Sequence, residues 1–331
     1  MRKHNLERAH TGAPNNIENL YELYDDDTPN KAPMRRDRDG ELGPGTRGRL
    51  TEKARDRLAQ DREEAAFADG PPEGDRWSTW DDPDERGPQP YPGWLVTELA
   101  GVDYELGMLK TGKEADVFLV ERAVPGSDRA CLMAAKRYRT GDHRLFHRDA
   151  GYLEGRRVRE SRQMRAMQRR TDFGRNLIAQ QWAVAEFAAL RELWRVGAPV
   201  PYPIQRTGTE LLLEFIGDPD GTAAPRLVQL RPSRAELADL WEQLFDAMRL
   251  LARGGHAHGD LSAYNLLVHG GELVMIDLPQ LVDVVSNPQG RQFLDRDVRA
   301  VCKWFLSRGM VAEVADPEAV LETLLEEAGL T

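Results

Sequence analysis

His256-Ala257-His258-Gly259-Asp260-Leu261-Ser262-Ala263-Tyr264-Asn265-Leu266-Leu267-Val268, followed by Leu273-Val274-Met275-Ile276-Asp277-Leu278-Pro279-Gln280, is the stretch whose reading decides the fold. Two short apolar runs flank Gly270-Gly271, the pattern of a tight hairpin turn. Such a hairpin carries the end of its second strand back beside the loop that opens its first. Asp260 and Asn265 sit on that loop, and Asp277 ends the returning strand. One carboxylate, one amide and a second carboxylate are therefore expected to meet at a point. A surface hairpin with ordinary loop acids is the plain alternative.

Phosphoryl transfer from ATP uses a trio of this kind. One carboxylate orients or accepts the proton of the nucleophile. An amide oxygen and a second carboxylate hold magnesium against the phosphates. The five-residue step from Asp260 to Asn265 is that of a protein-kinase catalytic loop.

Outward from this stretch, composition sets limits. Of 331 residues, 40% are hydrophobic, enough for a sizeable core, and they cluster beyond about residue 90. A net charge of -10 argues against general affinity for nucleic acid. Cys131 and Cys302 form no disulfide framework and no metal-ligand spacing, so both read as buried core. No charged-then-apolar leader opens the chain, and no apolar run approaches the ~18 residues of a membrane span. The expectation is a soluble, cytoplasmic protein without membrane contact.

Residues 1–90 read as a disordered charged tail. Asp25-Asp26-Asp27, Arg35-Arg36-Asp37-Arg38-Asp39 and Pro71-Pro72 leave little apolar surface to bury. A short helix from Thr51 to Phe67 fits within this tail, and Trp77 and Trp80 are candidates to dock on the folded part. Next, Gly107 to Val120 reads as strand, polar turn, strand. Gly112 lets the turn approach a ligand closely, and Thr111 and Lys113 add a hydroxyl and a cation. A phosphate-covering hairpin and a plain hairpin both fit this pattern.

Ala130 to Tyr138 is a strand in which Lys136 follows an apolar run. It is either a phosphate-aligning cation or a solvent-facing edge lysine. Arginines crowd residues 137–175, either as a polyanion-binding island or as a solvated surface. Leu177 to Val196 has helical periodicity, with Trp182, Ala185, Ala189, Leu193 and Val196 recurring at three- and four-residue steps. It carries Glu186, a partner for Lys136 or an ordinary solvated glutamate. Leu211 to Gly217 is a buried strand running into a glycine. Ser233 to Arg253 is a long amphipathic helix with a Ser233/Glu236 capping box. Phe293 to Arg308 and Pro317 to Leu330 read as two further helices.

Taken in order, these motifs resemble the RIO atypical protein kinases. The resemblance is carried by Lys-Thr-Gly-Lys-Glu-Ala-Asp-Val at 110–117, Ala-Lys-Arg-Tyr-Arg-Thr at 135–140 and Trp-Ala-Val-Ala-Glu-Phe-Ala-Ala-Leu at 182–190. Glu-Phe-Ile-Gly at 214–217, the 258–265 and 276–280 motifs, and Phe-Leu-Asp-Arg-Asp-Val at 293–298 complete it. It implies an α+β, two-lobed protein-kinase-like fold. A small β-rich N-lobe would span 91–216 and include the Arg-rich insert. A reduced helical C-lobe would span 217–331, behind the disordered tail.

The resemblance further implies ATP with Mg²⁺, or Mn²⁺ in its place, and serine/threonine kinase or ATPase activity. Asp260 is then the catalytic base, Asn265 and Asp277 bind metal, and Lys136 with Glu186 aligns the phosphates. Thr111 and Lys113 face the nucleotide, and Glu214 and Ile216 lie on the adenine-reading hinge. In that family the metal-binding aspartate can itself accept the phosphate, which assigns Asp277 a covalent role. Ala263 and Leu278 depart from the common residues at their positions. Gly259 replaces the arginine that reads an activation-loop phosphate in ordinary kinases. Two other readings compete: a small-molecule phosphotransferase of the aminoglycoside or choline kinase type, and a nucleotide-switched assembly factor contacting ribosomal particles or RNA through the Arg-rich segment. The sequence does not name a protein substrate.

Overall fold

The computed structural model describes residues 71, 73–139, 172–278 and 281–330. The expected helix at 51–67, the acidic and basic runs before it, and most of the Arg-rich segment lie outside these residues. Eleven short or medium strands, four α-helices and one 3₁₀ turn (Leu227–Gln229) follow among the described residues.

The first layer is a seven-stranded sheet. Its centre is a meander of β3 (Val102–Thr111), β4 (Ala115–Ala123) and β5 (Ala130–Tyr138). β6 (Pro203–Thr207) and β7 (Glu210–Glu214) follow as a hairpin, with β7 hydrogen-bonded to β5. β1 (Arg76–Trp77) and β2 (Glu85–Arg86) come from one preceding segment yet pair with opposite sides of the sheet, giving the order β1-β3-β4-β5-β7-β6-β2.

That arrangement corrects the expected boundary at residue 91, because the chain already enters the sheet at Arg76. Trp80 is buried in a small core with Leu95, Val96, Val120, Met133, Ala135, Tyr202, Ile204 and Leu212. Trp77 stays exposed. The charged residues that make this segment look solvated find partners instead. Arg206 pairs with Asp84 at 2.7 Å and with Glu85 at 3.1 Å, and Arg76 with Glu210 at 2.9 Å. Beneath the segment, Arg122 and Asp103 are wholly buried and joined by two hydrogen bonds of 2.7 and 3.1 Å. Gln205 accepts from the same guanidinium at 3.1 Å and donates to the Thr79 hydroxyl at 2.7 Å. A buried ion pair persists when its remaining donors and acceptors are satisfied, as they are here.

Side chains alternate across a strand, and this alternation separates two cores. Met133, Ala135 and Leu212 face the N-terminal segment. Ala134, Tyr138, Leu211 and Leu213 face the other way, onto helix α1 (Asp172–Arg195) and the main core. Lys136 lies between Ala134 and Tyr138, so it too is directed to the inner face. On α1 the buried apolar residues are Ala179, Trp182, Ala183, Phe187, Ala189, Leu190 and Leu193. They differ from the expected set in that Val196 is exposed and Glu186 falls among them at 1% exposure.

The second layer is helical. Helix α2 (Arg234–Arg253) starts at the Ser233 cap, whose N–H donates to Glu236 at 2.7 Å and whose hydroxyl accepts from the Glu236 N–H at 3.3 Å. Its apolar face, Leu237, Leu240, Trp241, Leu244, Met248 and Leu251, joins the main core. Helix α3 (Gly290–Ser307) and helix α4 (Pro317–Glu327) complete that core. Cys131 lies on β5 and Cys302 on α3, both buried as free thiols. No helix among the described residues is long and apolar enough to cross a membrane.

Candidate active site

The hairpin anticipated at Gly270-Gly271 is present. After the short strand β8 (His256–Ala257), β9 (Leu266–His269) pairs with β10 (Glu272–Met275) from His269 opposite Glu272 to Leu266 opposite Met275. Both turn glycines have positive φ, +59° and +83°, as a two-residue turn of matching twist requires. Beyond the strands, the Ile276 N–H donates to the Asn265 carbonyl at 3.0 Å. This last rung places Asp277 beside Asn265. The Asn265 side-chain nitrogen donates to the Asp260 carbonyl at 2.9 Å, closing the loop between them. Asp260, Asn265 and Asp277 therefore share one end of one hairpin.

Lys136 reaches the same point from the sheet. Its Nζ lies 2.6 Å from Glu186 Oε1 and 2.8 Å from Asp277 Oδ1. Burial alone would lower the lysine pKa, but the carboxylates of Asp277 and Glu186 outweigh it and raise the value. The charge of Lys136 in turn holds Asp277 down at about 2, against the opposing effect of burial. Asp277 is thus ionised throughout the neutral range. Its backbone is left-handed, with φ +69°, a region aspartate tolerates better than most residues. This turn directs the next N–H, that of Leu278, to Glu186 Oε1 at 3.2 Å. The Tyr138 hydroxyl donates to Glu186 Oε2. The buried Glu186 carboxylate therefore collects three donors, from Lys136, Tyr138 and Leu278.

The loop at 258–261 is held from beneath. Asp297 on α3 is 2% exposed and accepts the N–H groups of Gly259 at 2.7 Å and Leu261 at 2.9 Å, on either side of Asp260. Burial raises its pKa, against the pull of those hydrogen bonds and of nearby His258. His258 Nε2 lies 3.2 Å from the Ile276 carbonyl, tying the loop to the strand that delivers Asp277. Arg296 donates to the Gly259 carbonyl. Tyr138 and Asp297 were not singled out from sequence as site residues. The signals were the two-residue step from Lys136 and the second aspartate of the 293–298 motif.

The donor chemistry suits magnesium. The Asn265 amide oxygen and the ionised Asp277 carboxylate are hard oxygens, and Mg²⁺ takes one or two such ligands together with phosphate oxygens and water. Among the described residues there is no group of three or more His, Cys, Asp or Glu able to cage a metal ion.

Other candidates sit elsewhere. The Thr111 hydroxyl donates to Asp116 and accepts from Arg139 at 2.6 Å, across the turn. Lys113 is exposed at the turn tip. There the Gly112 N–H donates to the Ala115 carbonyl at 3.0 Å, and a Cβ on Gly112 would meet that carbonyl at 2.8 Å. Glu214 ends β7, where its carboxylate accepts the Tyr202 N–H at 2.9 Å. The Ile216 carbonyl accepts from the Ala224 N–H at 2.9 Å. Of the Arg-rich segment, Arg137 pairs with Glu105 and Glu210, and Arg139 with Asp116. The arginines between 140 and 171 lie outside the described residues.

The family model for the RIO domain matches residues 123–319, which hold Lys136, Glu186, the catalytic hairpin and Asp297. The chain belongs to the RIO family. Among its RIO relatives, the RIO-type serine/threonine-protein kinase Rio1 of Haloferax volcanii is 37% identical over 207 residues, 62% of this chain and 65% of that one. The serine/threonine-protein kinase rio1 of Schizosaccharomyces pombe is 31% identical over 200 residues, 60% of this chain and 37% of that one. The match thus spans less than two thirds of the length of either RIO relative. The solved Rio2 kinase of Chaetomium thermophilum, in an ADP/Mg²⁺-phosphoaspartate complex, is a looser likeness. It has 21% identity and a TM-score of 0.46, over 69% of this chain and 67% of that one.

Proposed function

We propose that this chain is an ATP- and Mg²⁺-dependent phosphotransferase of RIO type. It would pass the γ-phosphoryl group to a serine or threonine hydroxyl, or to the carboxylate of Asp277. The observation that supports this most directly is the placement of Lys136, bonded at once to buried Glu186 and to ionised Asp277, beside a loop that carries Asp260 and Asn265. The naming of the curated relatives as serine/threonine-protein kinases points the same way.

On this reading each residue has a task. Glu186 and Tyr138 fix Lys136, whose ammonium aligns the nucleotide's phosphates. Asn265 and Asp277 would hold Mg²⁺, which when bound would neutralise phosphate charge. Asp260 takes the proton from an attacking hydroxyl. In the covalent branch a carboxylate oxygen of Asp277 bonds to the γ-phosphorus, the bond to the β–γ bridging oxygen breaks, and ADP leaves with the electron pair. Water then attacks that phosphorus, Asp260 takes its proton, and phosphate and free Asp277 result.

The test is turnover of labelled ATP by the intact protein, its Asp277→Asn variant and its Asp260→Ala variant. Asp277→Asn should abolish metal-dependent turnover, and Asp260→Ala should reduce it by about 10²–10⁴. Quenched enzyme treated with hydroxylamine distinguishes the branches. An acyl phosphate on Asp277 is lost, whereas label on serine or threonine survives. Unchanged turnover in Asp277→Asn would overturn the assignment.

A further inference from the structure

The cleft holds two cations that the mechanism above does not use. Lys110 on β3 lies directly opposite Val117 on β4, and Val117 lies opposite Lys136 on β5. Residues paired across antiparallel strands share a face. Lys110 therefore faces the cleft with Lys136, two interstrand spacings of ~4.8 Å away. It is half-buried.

Arg226 comes from the opposite side. Its segment is laced to the catalytic hairpin: the Val268 N–H donates to the Pro225 carbonyl at 3.0 Å, and the Val228 N–H donates to the Ala263 carbonyl at 3.0 Å. Arg226 itself bridges to Leu267 on β9, two residues along the chain from Asn265. The two cations feel each other. Burial, and then the positive charge of Arg226, hold the Lys110 pKa below the ordinary lysine range, while Asp277 pulls the other way. Neither cation makes an ion pair to another described residue. Like charges approaching across a partly buried gap oppose the charged state, and an anion between them reverses that cost.

We propose that Lys110 and Arg226 are a two-sided clamp for the polyphosphate of a nucleoside di- or triphosphate, one cation from the sheet and one from the hairpin layer. The proposal rests on the nucleotide reading of the site and adds to it two phosphate-binding residues. The clamp makes binding of the phosphates, more than of the base, the event that draws the two layers together. It also gives the protein a definite signature: the residues that hold the ligand oppose each other in its absence.

The experiment is titration calorimetry of the full chain with Mg²⁺-ATP, Mg²⁺-ADP and adenosine. The proteins are the unaltered chain, Lys110→Met, Arg226→Met and the charge-keeping Lys110→Arg and Arg226→Lys, with melting of each free protein alongside. Either methionine variant should lose on the order of tenfold in ATP affinity, with adenosine affinity unchanged and a melting temperature no lower than that of the parent. The charge-keeping variants should recover most of the loss. Equal loss for adenosine and ATP, or unaltered ATP affinity in both methionine variants, would overturn the clamp. If the unaltered chain binds adenosine and ATP equally, or binds neither, the nucleotide reading itself fails, a result separable from the first.

Discussion

The Tyr138 hydroxyl donates to the Glu186 carboxylate from the same strand face as Lys136, two residues further along β5. One buried carboxylate is thus gripped twice by one strand and once by the Leu278 N–H. Lys136 and Tyr138 tie the helix that carries Glu186 to the sheet.

Tyr138→Phe removes one of the three donors and leaves the ring packing against Trp182 in place. A buried carboxylate that loses a neutral donor costs about 1–3 kcal/mol. Denaturant unfolding should show a loss of that size. ATP turnover should fall less than in any variant of Lys136, because the ammonium keeps both of its carboxylates.

Lys136→Met should do more. Glu186 is 1% exposed, and removing the cation leaves a buried charge without its counter-ion. Breaking such a pair costs about 3–5 kcal/mol. The double variant Lys136→Met, Glu186→Gln should regain much of the stability and none of the turnover. Melting and turnover measured on both variants check this, and a double variant no more stable than the single one would contradict it.

The pH dependence has a definite sign. Asp277 has its pKa lowered from 3.8 to about 2, chiefly by Lys136. The stability from this pair is therefore fully present above about pH 4 and is lost as pH falls through about 2. Acid unfolding followed by circular dichroism should steepen in that window, and Asp277→Asn should remove that component. The acidic limb of any activity profile near neutrality then belongs to another group.

The boundary of the folded part can be tested directly. A chain that begins at residue 71 keeps β1, β2, Trp80 and the Glu85–Arg191 pair at 2.9 Å, which ties the N-terminal segment to α1. A chain that begins at residue 91 loses them all. Calorimetry should place its melting temperature several degrees lower, in line with the loss of one buried tryptophan, ~3–5 kcal/mol by analogy with truncation in a core. Equal melting temperatures would return the boundary to 91.

Much of the site was legible because its signals are local. Gly270-Gly271 defines the hairpin, and the hairpin alone brings Asp260, Asn265 and Asp277 to one end. The α2 cap is equally local, four residues from Ser233 to Glu236. What the sequence hid depends on long-range pairing. Arg76, Asp84, Glu85 and Arg86 look like a solvated run until Glu210, Arg206, Arg191 and the Trp80 carbonyl are placed opposite them. On β3 the face of each residue could not be counted from the sequence. The pairing with β4 shifts between Glu105 and Gly107 and again between Met108 and Lys110, so Lys110 reaches the cleft where Thr111 was expected.

The left-handed backbone at Asp277 limits which substitutions can be interpreted there. Asparagine occupies that conformation about as readily as aspartate, and glycine more readily. An alanine carries a steric penalty of about 1 kcal/mol or more before any chemistry is lost. Relaxing that penalty would rotate the Leu278 N–H away from Glu186 and loosen Lys136 from a distance. An alanine scan of this hairpin would therefore record a shape change as a loss of catalysis at Asp277. The isosteric asparagine separates charge from shape at this position.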